Sequence, residues 1–298
     1  VSPDPVFNLV VTNKATATSP PDLVSCDSSG TGSLEATFDL AQQTATILGS
    51  QDTATFSVTY HSTPSDADLG VSPLASPLTG PSQTIYVRVE EFGLPDCYAT
   101  TEFELTVDPL PLVSNMSPLS VCDDDTDGFT IFTLTDKDSE ALGGQTGMVV
   151  SYHPTEQSAL DNTSAIGPTY SNTTANMEQI WIRLTNATTQ CYSVMSLDLI
   201  VDPLPVPEPA VLAPLCDDNT DGLQTFDLSG VGSQVIGGQT GMVVSYHSTA
   251  QQAMDNAGSL GTSITTTIPD LQTIYIRLEN TLTGCYALST IDLVVDPL

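Results

Sequence analysis

The chain has 298 residues and 36 acidic but only 5 basic side chains, a formal charge of −31. Five cations cannot displace the counterions of a nucleic acid, and an anionic membrane surface repels such a chain. A 40 % hydrophobic content is ample for packed cores, and 41 Thr with 26 Asp against 10 Glu point to strands and turns rather than helices.

No stretch approaches 18 apolar residues, and the N-terminus lacks a charged-then-apolar leader, so no membrane insertion is expected. An internal repeat organises everything else. Cys97-Tyr98, Cys191-Tyr192 and Cys285-Tyr286 recur every 94 residues, as does Val-Asp-Pro-Leu from Val107, Val201 and Val295. Cys26, Cys122 and Cys216 open the units, and Tyr60-His61, Tyr152-His153 and Tyr246-His247 mark their middles. The run GGQTGMVVSYH occurs at 143–153 and again at 237–247. The expected domains are 13–108, 109–202 and 203–298. Residues 1–12, with Phe7 to Val11, read as the last strand of a preceding unit, so the chain is expected to be a piece of a longer array.

In chain order, Ile85–Val89 is a period-two strand with Ile85, Val87 and Val89 on one face. A short loop leads to a second strand, Cys97–Val107, whose parity puts Cys97, Ala99, Thr101, Phe103, Leu105 and Val107 inward. The second unit adds a central strand at Met148–Tyr152, a helical turn at Ser158–Asp161 and a strand at Ile180–Leu184. The third unit has a helical turn at Gln252–Asp255 and a strand at Ile274–Leu278. About 94 residues with some seven short strands predict an all-β fold of tandem immunoglobulin-like β-sandwich domains. The Trp of antibody domains is not reproduced, since the sole Trp181 has outward parity. Junction prolines (Pro109, Pro111, Pro118; Pro203, Pro205, Pro207, Pro209, Pro214) favour stiff spacers, which predicts an extended rod.

Six cysteines at matched places point to disulfides and an oxidising compartment. Pairing across junctions (Cys97 to Cys122, Cys191 to Cys216) leaves Cys26 and Cys285 over, and buried free thiols are the other alternative. The expectation is pairing within units: Cys26–Cys97, Cys122–Cys191 and Cys216–Cys285. With no CxxC or Cys/His cluster, zinc is not expected.

Behind the second and third leading cysteines stand acidic loops. Asp123, Asp125 and Asp127 with Gly128, and Asp217, Asn219 and Asp221 with Gly222, fit D-x-[DN]-x-D-G, the first half of a calcium loop. An EF-hand would place Glu where Leu134 and Leu228 stand, so further ligands are needed, and Asp108 and Asp202 at the ends of the preceding units are the candidates. Calcium (Ca2+) is therefore the expected cofactor of units two and three. The bland reading is an Asp/Gly-rich turn. Unit one, Asp27 to Gly32, has lost most of these ligands.

The three histidines occupy one place per unit, which fits a structural role. Arg88, Arg183 and Arg277 are also in register, each predicted beside an aromatic pair (Tyr86 and Tyr98, Trp181 and Tyr192, Tyr275 and Tyr286), stabilising a sheet face. A sugar-binding platform is the alternative. Two lysines, Lys14 and Lys137, are too few for an isopeptide bond in every unit. No Ser-His-Asp order, HExxH or phosphate loop occurs, so no enzyme is expected.

Taken together, Cys-Asp-x-[Asp/Asn]-x-Asp-Gly, Tyr-His-x-Thr, Gln-x-Ile-[Tyr/Trp]-[Ile/Val]-Arg-[Leu/Val], Cys-Tyr and Val-Asp-Pro-Leu resemble the tandem repeats of large surface adhesins of gliding Bacteroidetes. The resemblance covers nearly the whole chain. It implies an extracellular, cell-surface filament exported by type IX secretion, touching substrata or polysaccharide and carrying no catalytic residues. Its sorting domain is not in this sequence. The function expected is a structural shaft that holds an adhesive tip away from the cell, with neighbouring repeats as partners. The alternative is a glycan-binding module.

Overall fold

The computed structural model describes residues 14–30 and 32–297. The expected strand within residues 1–12 lies outside the described residues. Two compact units form: the described residues through Val113 with Gln145–Val149 and Leu184–Ser193, and Ser114–Gly144, Val150–Arg183 and Val194 onward.

The first repeat runs β1 (Leu23–Cys26), β2 (Ala36–Phe38), a 3-10 turn (Leu40–Gln43), α1 (Thr44–Leu48), β3 (Phe56–His61), α2 (Pro64–Leu69), β4 (Leu78–Gly80), β5 (Gln83–Glu91) and β6 (Leu94–Asp108). Its main sheet has the order β1-β6-β5-β3, and β2 pairs with β4 in a small second sheet. β5 is antiparallel to β3 and β6, whereas β1 runs parallel to β6. The core lies between the layers: Ile85, Val87, Val89, Phe103, Leu105 and Val107 from the large sheet meet Ala36 and Phe38 from the small one. The period-two parity of both hairpin strands is thus the parity of the core. Six strands and two short helices stand where seven strands were expected.

The second repeat follows the same plan: β7 (Leu119–Cys122), β8 (Ile131–Thr133), α3 (Asp138–Leu142), β9 (Met148–His153), α4 (Glu156–Leu160), β10 (Thr169–Ser171), β11 (Met177–Asn186) and β12 (Tyr192–Asp202). The third has β13 (Leu215–Cys216), β14 (Thr225–Asp227), α5 (Val231–Ile236), β15 (Met242–His247), α6 (Ala250–Met254), β16 (Ser263–Thr265), β17 (Leu271–Asn280) and β18 (Tyr286–Asp296). The sheet orders β7-β12-β11-β9 and β13-β18-β17-β15 repeat the first. These are tandem immunoglobulin-like β-sandwich domains. Among the described residues, no helix is long and apolar enough to cross a membrane.

Local chemistry explains the short helices. Thr63 accepts the Asp66 N–H at 3.1 Å as N-cap, Pro64 opens α2, and Gly70 ends it in the left-handed conformation. Thr155 and Thr249 cap α4 and α6 in the same way. The helical turns expected at Ser158 and Gln252 are these two elements.

Candidate functional site

Each leading cysteine ends its strand, and an acidic loop follows at once. In the second repeat the Asp123 carboxylate accepts N–H bonds from Thr126 at 2.8 Å and Gly128 at 2.9 Å, with Asp125 N at 3.3 Å. Asp125 in turn accepts from Asp127 N, and Asp127 from Phe129 N at 2.7 Å. The third repeat copies this: Asp217 accepts from Asn219, Thr220 and Gly222, and Asp221 from Leu223. Burial alone would raise the Asp123 carboxyl, yet the N–H groups of Gly128, Asp125, Thr126 and Asp127 hold it below its usual value. Asp217 is held low too, first by the Asn219 N–H. Asp125 behaves differently. The Asp127 N–H pulls it down, but burial and the charges of Asp127 and Asp124 leave it raised overall.

Gly128 and Gly222 close these loops at φ +83° and +71°, a region open chiefly to glycine. A Cβ on Gly128 would also meet Asn176 Oδ1 at 2.9 Å and Ala175 Cβ at 3.0 Å. The Asn176 N–H donates to the Gly128 carbonyl, bracing the loop.

Of the expected ligand set, Asp123 and Asp125 come together, joined by Asp124, with a carboxylate oxygen from each within 4.8 Å of the others. Asn219 turns its amide onto Asp221 Oδ2 at 3.0 Å. Asp108 and Asp202 need a correction. Because the β1-type strand runs parallel to the last strand of its own repeat, Asp108 lies opposite Cys26, and its carbonyl accepts the Asp27 N–H at 2.9 Å. Asp202 likewise lies opposite Cys122 and binds the Asp123 N–H at 2.8 Å. Each therefore sits beside the loop of its own repeat, not that of the following one. The acid ending the third repeat, Asp296, stands the same way beside Asp217.

The same geometry overturns the expected disulfides. The bonds are Cys26–Cys191 and Cys122–Cys285, with Cα separations of 5.6 and 5.5 Å, and Cys97 and Cys216 are free. Cys26–Cys97, Cys122–Cys191 and Cys216–Cys285 do not form. Cys26 pairs with Asp108, whereas Cys97 lies eleven residues earlier in β6. At ~3.3 Å per residue that is ~36 Å of strand, far beyond disulfide reach. The third repeat is alike: Cys216 is opposite Asp296, and Cys285 immediately precedes β18. So the two cysteines of a repeat mark opposite ends of its sheet. Each bond joins the leading cysteine of one repeat to the trailing cysteine of the next. Around them, Ser193 Oγ donates to the Pro111 carbonyl at 2.7 Å, and Cys285 Sγ lies 3.9 Å from the Asp202 carbonyl.

The in-register arginines are buried. Val89 faces Ala99 rather than Cys97, which puts Arg88 opposite Thr100 and reaches Tyr98 on the diagonal, 3.8 Å above its ring. Arg277 lies 3.4 Å above Tyr286. The guanidinium of each also binds the carbonyls at the end of the short helix: Ala67 and Asp68, Ala159 and Leu160, Ala253 and Met254. Arg88 and Arg277 are 3 % and 7 % exposed and pair with Glu90 and Glu279 at 2.7 Å. They stabilise the sheet face, as expected, but a buried cation is not an open sugar platform. His61, His153 and His247 are fully buried. Each donates from Nδ1 to a loop carbonyl (Val71, Thr163 or Ala257) and meets a hydroxyl with Nε2.

One recurring device was missed. Gln51, Gln145 and Gln239 each clasp the backbone of an incoming extended segment, accepting its N–H and donating to its C=O, at Thr16, Leu112 and Val206. The signal was present, since Gln145 and Gln239 lie in the run repeated letter for letter.

A family model described as the Flavobacterium inter-domain disulphide bond domain matches residues 22–111, 118–205 and 213–298. No curated protein matches the chain. Among solved structures, an I-band fragment of titin is similar over 97 % of this chain and 100 % of that one, at 12 % identity and a TM-score of 0.34. Domains 7, 8 and 9 of the S-layer protein SbsC are similar over 73 % and 72 %, at 11 % identity and a TM-score of 0.30. Drosophila N-cadherin EC1-3 is similar over 95 % and 100 %, at 11 % identity and a TM-score of 0.24.

Proposed function

The chain belongs to the Flavobacterium inter-domain disulphide bond domain family, and on that premise we propose that it is a covalently stitched structural shaft of an extracellular filament. The observation that carries this is the pairing of each leading cysteine with the trailing cysteine of the next repeat. Such bonds overlap along the chain, so tension between the ends cannot draw out one repeat without straining a bond to its neighbour. The two disulfides belong to an oxidising, extracytoplasmic setting. Resemblance to surface adhesins of gliding Bacteroidetes supports the finer reading: a non-enzymatic, extended rod at the cell surface, exported by type IX secretion, that displays an adhesive tip.

We further propose that Asp123, Asp125 and Asp127, with Asp124, and Asp217, Asn219 and Asp221 take calcium at the repeat ends. Support comes from the convergent carboxylates of Asp123, Asp124 and Asp125 and from the crowding that raises Asp125. Binding to the folded state adds ~2.7 kcal/mol at a hundredfold excess over Kd. Thermal melting with calcium and with chelator, on the wild type and on Asp125→Ala with Asp221→Ala, tests this. An unchanged melting temperature means the loops are ordinary acidic turns.

Force spectroscopy tests the shaft. Reduction should lengthen the fully extended chain by on the order of 500 Å, the slack released from a loop of about 165 residues at ~3.5 Å each. Equal extension before and after reduction contradicts the reading. Retention of the isolated chain on polysaccharide favours a glycan-binding module instead.

A further inference from the structure

Tyr86, Trp181 and Tyr275 hold one position in the three repeats, two residues before the buried arginine and on the same face of the strand. What surrounds the ring differs. In the third repeat Tyr275 lies opposite Thr290 and Arg277 opposite Leu288, and the helix end above them is Met254, whose carbonyl binds Arg277. The second repeat, 94 residues earlier, has Ser196, Val194 and Leu160 at these places. In the first repeat Tyr86 lies opposite Glu102 and Arg88 opposite Thr100, and the helix residue is Asp68. The ring is kept. The apolar pair beside it has become a carboxylate and a hydroxyl, and a second carboxylate has joined them.

These residues, with Pro64 and Ala67 of α2, line a cleft of about 410 Å3. That is within the range of small-ligand clefts. Tyr86 is half-buried, while Asp68, Thr100 and Glu102 are exposed, so the cleft opens to solvent. Its two carboxylates come from different elements, Asp68 from α2 and Glu102 from β6. The strand of Tyr86, β5, lies between β6 and β3, and α2 packs on β3 and β5. Neither carboxylate pairs with a cation among the described residues. Arg88, under the same helix end, is committed elsewhere: Nε pairs with Glu90 at 2.7 Å, Nη1 donates to the Ala67 and Asp68 carbonyls, and Nη2 to that of Pro95. It is 3 % exposed and does not reach into the cleft as a counter-ion.

We propose that this cleft binds a small aliphatic polyamine, with one ammonium at Asp68, another at Glu102 and the methylene chain across the Tyr86 ring. Each part of the ligand meets its own chemistry. A ring face attracts a cation as well as alkyl groups, carboxylates take charge-assisted hydrogen bonds from ammonium, and a concave wall focuses the field of the two charges. An anion is repelled here, and a neutral sugar leaves both charges uncompensated. Repeats two and three, with Leu160 and Met254 in place of Asp68, lack the site. The inference goes beyond the shaft reading. Chain extension on reduction does not depend on it, and its failure leaves Cys26–Cys191 and Cys122–Cys285 standing.

The test is titration calorimetry of the whole chain with putrescine, at about 0.15 M salt to screen diffuse attraction to the acidic surface. The heat should saturate at one site per chain. Butylamine, with a single ammonium, should bind more weakly, and butanediol should not bind. Tyr86→Leu keeps apolar bulk without the ring and should weaken putrescine by about two- to fivefold. Asp68→Asn with Glu102→Gln should weaken it on the order of tenfold. Asp161→Asn with Asp255→Asn removes the same charge beside the short helices of the other repeats and should leave the affinity unchanged. Heat that never saturates, or that falls equally in the two charge-pair variants, means diffuse counter-ion binding and overturns the proposal. Butanediol binding as well as putrescine, or putrescine binding unaltered by both cleft variants, overturns it too.

Discussion

Cys26 lies directly opposite Asp108 at the ends of two parallel strands, and this pairing determines which sulfurs can meet. It sends the leading cysteine to one end of the sheet and leaves the trailing cysteine at the other. Reach within a repeat is then excluded, and reach between successive repeats is the outcome.

Loss of a bridge should be costly and loss of a free thiol should not. The chain-entropy model assigns ~5 kcal/mol to closing a 165-residue loop, and ~2–5 kcal/mol is typical on removal of a native bond. Cys26→Ser with Cys191→Ser should lower unfolding stability in urea by that amount. Cys97→Ser should stay within ~0.5 kcal/mol of wild type. Within-repeat pairing would make Cys97→Ser as damaging as the double variant.

Arg277 couples β17 to the end of α6 through the Ala253 and Met254 carbonyls at 3.1 and 3.0 Å. Arg277→Met strands these carbonyls and the Glu279 carboxylate and should cost ~3 kcal/mol. Arg277→Lys should recover little, because a single ammonium cannot serve the two carbonyls and Glu279 from separate nitrogens, as Nη1 and Nε do, nor stack on Tyr286 as a plane does. Chemical denaturation of the two variants checks this.

Gly128→Ala must accept both a positive φ and a collision with Asn176 and Ala175, whereas Gly144, at φ +80°, has nothing within 4 Å of an added Cβ. Gly144→Ala should therefore carry only the left-handed cost of ~1–2 kcal/mol. Gly128→Ala should exceed it, read as a larger fall in thermal midpoint.

Glu140 has a pH signature of its own. The Ser117 N–H first, then Lys137 and the Ser117 hydroxyl, lower its carboxyl from 4.5 to about 2. A folded value below the unfolded one means stability that is complete above pH 4.5 and is lost as pH falls toward about 2. The third repeat has Gln234 in the equivalent role, accepting the Val211 N–H at 3.0 Å. Stability of wild type and Glu140→Gln, measured from pH 6 downward, should converge below pH 4.5. A difference independent of pH would contradict the assignment.

Strand parity was legible because burial follows a period of two: Val87 and Leu105 are core residues in the sequence pattern and in the fold alike. The repeat and the acidic loops were legible because they recur as letters. The cysteine pairing was not. Spacing says that Cys26 and Cys97 share a repeat, but only the parallel β1–β6 register says that they occupy opposite ends of it. Parallel pairing joins residues more than 80 positions apart and leaves no local period to read. Parity alone could place Arg88 on the outer face, but not its reach beneath the end of α2. The Gln51, Gln145 and Gln239 clasps escaped for a related reason, since a side chain that imitates a backbone pair looks like any surface glutamine.

The most direct test of the account is non-reducing peptide mapping of the oxidised chain. It should recover Cys26 joined to Cys191 and Cys122 joined to Cys285, with Cys97 and Cys216 outside both. Peptides joining Cys26 to Cys97, or Cys122 to Cys191, would contradict the cross-linking of successive repeats on which the proposed function rests.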